Sequence, residues 1–124
     1  MNFRTPIEGF CVRCSAALPR WPTPTAGVSA PGALNGPLAF AGYQYKGVIP
    51  GLIRRAKYGG EWSVLEALTT PLLPHIAPAL DGVDALVPVP TTSGRWLTRG
   101  FNPAGVIALR IGRGLGHKVS ALGL

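Results

Sequence analysis

In "VIPGLIRRAKYGG" the residues Val48, Ile49, Leu52, Ile53 and Ala56 recur at helical spacing and share one face. The pattern predicts an amphipathic helix. Pro50 is compatible with its first turn, where a missing N–H leaves nothing unpaired, and Gly59–Gly60 supplies a stop. Arg54, Arg55 and Lys57 fall mostly off the apolar face. Beyond the stop, Trp62, Leu65, Leu68, Leu72, Ile76 and Leu80 keep a helical rhythm, but Pro71, Pro74 and Pro78 cut across it. An interior proline costs a helix about 3 kcal/mol, so a break or kink is expected near Pro71.

The pattern then changes. "VDALVPVP" is short and continuously apolar, which predicts a strand over 84–89 buried on both faces of a parallel sheet. A polar loop follows. Asn102 is a suitable N-cap and Pro103 a suitable first helical residue. Val106, Ile107, Ile111 and Leu115 mark the face of a helix over 103–115, whose end Gly112, Gly114 and Gly116 weaken. "KVSAL" opens another strand. Strand, loop, helix and strand make a βαβ unit, and the expected class is α/β.

The N-terminal third is different in kind. Residues 15–37 are dense in Pro, Gly, Ala and Thr, and Pro22, Pro24 and Pro31 exclude a helix there. We divide the chain into a Cys-pair segment and linker over 1–37 and a folded unit over 38–124. Regular structure is expected to begin at "LAFAGYQYKG", where Phe40, Tyr43 and Tyr45 suggest a short strand. No apolar run approaches the roughly 20 residues of a membrane span, and "MNFRTPIEGF" lacks an apolar signal core. The expected compartment is the cytoplasm, where paired thiols stay reduced.

Charge narrows the functional classes. Lys and Arg outnumber Asp and Glu by 12 to 5, a net charge of +7 in 124 residues. An excess this large suits an anionic partner such as phosphate, nucleotide or nucleic acid; a merely solubilising basic surface is the other reading.

The loop between the predicted strand and helix, "TTSGRWLTRGFN", makes the anionic partner specific. In α/β sheets ligands gather at the carboxyl ends of strands, where helix N-termini point their dipoles and N–H groups. Thr91, Thr92 and Ser93 bring hydroxyls, Gly94 and Gly100 allow close backbone approach, and Arg95 and Arg99 bring charge. Phosphate or pyrophosphate fits that set. The alternative is a connector whose arginines are solvated and whose Asn102 only caps the helix.

"DALVPVP", the basic loop and "RGFNPAGVIA" resemble the corresponding segment of the ComF/GntX-type competence proteins, of the type I phosphoribosyltransferase superfamily. "YQYKGVIPGLIRRAKYGGEW" and "FCVRCSAAL" resemble upstream pieces of the same family, in the same order. Pro103 stands where the family has Gln. The resemblance implies a partial, Rossmann-like phosphoribosyltransferase fold behind a hood segment, with the 91–102 loop on the pyrophosphate of phosphoribosyl pyrophosphate. Arg95, Arg99 and Gly100 would lie at or beside the pyrophosphate, Phe101 would pack, and Lys57 and Tyr58 would belong to the hood. It further implies a Mg²⁺-dependent glycosyltransferase or a non-catalytic accessory of DNA uptake. The accessory would bind single-stranded DNA or a competence helicase through its basic surface.

The chain departs from that family in its acids. Such enzymes hold Mg²⁺ and the ribose hydroxyls with an adjacent acidic pair and wrap the ribose phosphate with a Thr/Ser-rich loop. No two acids are adjacent here, and Thr69–Thr70 lies in a helical stretch ahead of Pro71. The chain therefore reads as the N-terminal half of such a protein, truncated and without catalytic competence by itself. Cys11 and Cys14 have the spacing of half a tetrahedral Zn²⁺ site. No second Cys pair completes it, and His75 and His117 are distant in sequence. Trp96, between the two loop arginines, could stack on a base.

Overall fold

The computed structural model describes residues 28–29, 38–39, 41–92, 94 and 100–120. The elements in chain order are β1 (Val28–Ser29), β2 (Leu38–Ala39), α1 (Ile49–Tyr58), α2 (Ser63–Thr69), α3 (Leu73–Ile76), β3 (Ala85–Leu86), α4 (Pro103–Leu115) and β4 (Lys118–Val119). One 3₁₀ turn, Thr70–Leu72, joins α2 to α3, and another, Ala77–Leu80, follows α3.

β1 pairs antiparallel with β2, so regular structure is already present ten residues before "LAFAGYQYKG", inside the stretch read as linker. Of that predicted strand, Leu38–Ala39 is extended and Tyr43 forms an isolated bridge. Its hydroxyl donates to Leu68 O at 2.5 Å, tying the approach to α1 onto the end of α2.

α1 follows the apolar spacing closely. Pro50 sits in its first turn, Gly59 caps its end, and Ile49 and Ala56 are buried with Leu52 and Ile53 half-buried. Val48 is an exposed N-cap rather than part of the packed face. The proline-cut stretch stays helical but in pieces. Each of Pro71, Pro74 and Pro78 falls at the first or second position of a new short element, where its missing N–H does least harm.

Packing runs from α1 to α2 and from α2 to α4. Ile49, Ala56, Leu65, Leu68 and Ala108 are the buried apolar core. On α4 the deepest line is Gly105, Ala108 and Gly112, while Val106, Ile107, Ile111 and Leu115 are half-buried flanks. Small residues take the centre because the backbones come close. A Cβ on Gly112 would lie 2.7 Å from His117 O and from Val119 Cγ2, and one on Gly114 2.6 Å from Leu73 Cδ1. The glycines that weaken the helix end by propensity thus let α4 lie against β4 and α3. The helix stops at Gly116, in the left-handed conformation.

β3 and β4 are parallel, Ala85 opposite Lys118 and Leu86 opposite Val119, so strand, helix and strand follow in the expected order. The expectation that 84–89 is an interior strand buried on both faces is not met. The ladder is two residues long in a two-stranded sheet, and Val87 and Val89 are 68% and 74% exposed. Pro88 explains the length, because it has no N–H to donate beyond Leu86. Leu86 and Pro88 point inward, while Val83, Ala85, Val87 and Val89 line an open face.

Candidate anion-binding loop

Leu86 O accepts from Ser120 N at 2.8 Å, joining the end of β3 to the residue after β4. The chain then leaves the sheet, buries Pro88 and enters the 91–102 segment. Its return is fixed by Asn102, 6% exposed. The Asn102 side chain accepts from Ala104 N at 3.2 Å and donates from Nδ2 to Val89 O at 2.9 Å. One amide therefore caps α4 and fastens the end of the β3 segment to the helix start, closing the loop at its neck. The cap was legible in the sequence; the cross-link to Val89 was not.

The remaining loop residues divide into two sets. Thr91 is half-buried, Thr92, Gly94 and Gly100 are exposed, Phe101 is half-buried, and Gly100 adopts φ 77°, a turn conformation that favours glycine. Ser93, Arg95, Trp96 and Arg99 lie outside the described residues, as do Cys11 and Cys14. Lys57 and Tyr58 sit at the C-terminal end of α1, an element packed on α2.

The start of α4 supplies less to an anion than an uncapped helix would. Pro103 has no N–H, Ala104 N is taken by Asn102 Oδ1, and Val106 N donates to Asn102 O at 3.1 Å. Gly105 carries the first-turn N–H that Asn102 does not engage, and it is buried. The start of α4 therefore offers an anion little of its dipole or free N–H groups.

The described acids do not suit Mg²⁺. Glu61 pairs with Arg55 at 2.7 Å, Glu66 with Arg113 at 3.5 Å, and Asp81 and Asp84 are exposed. Among the described residues no three His, Cys, Asp or Glu side chains come together to hold a metal ion. The hydroxyls of Thr69 and Thr70 are engaged by their own helix. Thr69 donates to Leu65 O at 2.7 Å, and Thr70 donates to Glu66 O at 2.9 Å while accepting from Arg110 Nε at 3.1 Å. Such bonding suits a structural seam between α2 and α4 rather than a phosphate cradle. His75 is exposed on α3, and His117 is half-buried beyond Gly116.

No protein-family model matches the chain, and neither a curated protein nor a solved structure matches it. Among the described residues no helix is long and apolar enough to cross a membrane.

Proposed function

We propose that the 91–102 loop is a phosphate-binding loop for pyrophosphate or the pyrophosphate of phosphoribosyl pyrophosphate, in a ComF-like phosphoribosyltransferase-type chain. The observation that carries this reading is the neck. A loop holding two arginines, three threonines and a serine in its sequence leaves the carboxyl end of a parallel strand, and Asn102 fastens its exit to its entrance. A loop closed at its base loses less freedom when a ligand orders it, so more of each contact appears as affinity.

The reading is one of binding without transfer. Leaving-group stabilisation needs cations, which Arg95 and Arg99 bring. Metal-assisted transfer needs carboxylates, and the 124 residues contain no adjacent pair. Two or three charge-assisted hydrogen bonds to phosphate, each about 1.5–3 kcal/mol, less the ordering cost, correspond to roughly millimolar to high-micromolar affinity. Pyrophosphate titrated into the labelled chain is expected to shift amide resonances between residues 91 and 102, and Arg99→Ala to remove most of the binding while the fold is kept. Unmoved resonances across that segment would make it a plain connector.

A further inference from the structure

An open pocket of about 460 Å³ lies at the C-terminal end of α4, within the roughly 300–1,000 Å³ of small-molecule sites. Ala77, Pro78, Leu80 and Leu115 give it apolar walls, and Asp81 and His117 are its two titratable side chains. Each of the two stands on a turn built around a left-handed glycine. Val83 N donates to Leu80 O at 3.0 Å, with Asp81 at φ −61°, ψ 125° and Gly82 at φ 79°, a type II turn with Asp81 at its first corner. On the α4 side Gly116 has φ 75°, and Gly116 N and His117 N both donate to Gly112 O, at 2.9 and 3.0 Å.

The charge at this pocket runs against that of the chain. Among the described residues no lysine or arginine lines it, although the net charge is +7. Arg113, the cation of the last turn of α4, is engaged elsewhere, by Glu66 at 3.5 Å and by Leu109 O at 3.4 Å. Lys118 pairs in register with exposed Ala85, on the open face of the sheet. Leu115 ends α4, so the pocket wall also carries the negative end of a 13-residue helix, whose last carbonyls lack intrahelical partners. Neither the Asp81 carboxylate nor the His117 ring has a hydrogen-bond or ion-pair partner among the described residues.

We infer that this pocket binds a small organic cation, a primary ammonium carried on an apolar body. The two parts of such a ligand answer the two parts of the site. An ammonium has three donors and no acceptor, which suits a carboxylate, a neutral imidazole nitrogen and helix-end carbonyls. The apolar body covers Pro78, Leu80 and Leu115. An anion would meet a carboxylate and the wrong end of a dipole. A metal ion would leave the apolar walls in water and find two side-chain ligands, since no third His, Cys, Asp or Glu joins them among the described residues.

The test is nuclear magnetic resonance titration of the labelled full chain with three compounds that share an indole ring. Tryptamine is a cation, tryptophol is neutral and indole-3-acetate is an anion. Tryptamine is expected to shift the amides of Leu80, Gly82, Leu115 and His117, and to bind about tenfold more tightly than tryptophol, with indole-3-acetate weakest. The net charge of the chain by itself favours the reverse order, so the ranking reads the local field. Asp81→Asn is expected to weaken tryptamine binding about threefold to fivefold, the range of an exposed charge pair, and to leave tryptophol unchanged. Asp81→Lys should abolish the preference for tryptamine over tryptophol. Asp81 is exposed, so both variants keep the fold. Equal affinities for the three indoles, a preference for indole-3-acetate, or unchanged tryptamine binding by Asp81→Asn would overturn the proposal, as would shifts confined to other residues. Pyrophosphate shifts in the 91–102 segment are expected to be the same in both variants, so failure here is distinguishable from failure of the loop.

Discussion

Two turns in this chain are each closed by one side chain, and they differ in where the closing bonds lie. Asn102 fastens the 91–102 loop with a neutral amide that is almost fully buried, bonded to Val89 O and Ala104 N. Arg55 fastens the turn after α1 with an ion pair whose side chains are 62% and 44% exposed. In water the charged pair gains little over solvation. The loss of the buried amide leaves a part-buried carbonyl and N–H without their partner together. The buried tie therefore holds up the fold, and the exposed tie sets the local shape of a surface.

The contrast can be broken first at Asn102. Asn102→Ala removes the cap, worth about 1 kcal/mol, and leaves Val89 O without its donor, a further cost of about 1–3 kcal/mol. A loss of about 2–4 kcal/mol in urea unfolding is expected. Asn102→Asp sharpens the result, since it keeps the cap acceptor but cannot donate to Val89 O; it should recover only the cap's share.

The other end of α4 tests whether the same seam continues. Gly112→Ala improves helix propensity by nearly 1 kcal/mol yet drives a Cβ to 2.7 Å from His117 O and Val119 Cγ2. Overpacking costs about 1–3 kcal/mol. Net destabilisation, with weaker amide protection at Val119, is the expected outcome, and a more stable variant would mean that α4 and β4 do not lie this close. At the exposed tie the effect falls below about 1 kcal/mol for Glu61→Gln, and it should shrink further in high salt. A larger loss would remove the distinction between the two ties.

The smallest effect is expected on the open face of β3. Val89→Lys should change stability by no more than about 0.5 kcal/mol, as for other exposed positions. A loss of several kcal/mol would show Val89 buried, as the interior-strand reading of 84–89 supposed. That reading erred because a continuous apolar run reports only that neither face is polar. It does not count the layers available to cover them, nor does it register that Pro88 ends the ladder.

Chemistry was legible from sequence unevenly, for reasons that lie in particular residues. Asn102 and Pro103 announce a helix start because capping uses neighbours two residues apart. The bond from Asn102 to Val89 spans thirteen residues and leaves no local trace. Lys57 and Tyr58 were singled out through a family pattern. The Arg55 tie beside them depends on a carboxylate six residues away.

The sequence by itself determined the helices and their punctuation. Apolar spacing, first-turn prolines and terminal glycines act within a few residues, so α1, the segmented stretch over 63–80 and α4 stand where the pattern puts them. Only the tertiary structure decided which face of α4 is deepest, how far β3 extends and which side chain closes each turn. Those depend on how near two backbones come. Where Gly112 lets α4 touch β4 the smallest residues take the centre, and the large aliphatics that dominate the pattern are left at the flanks.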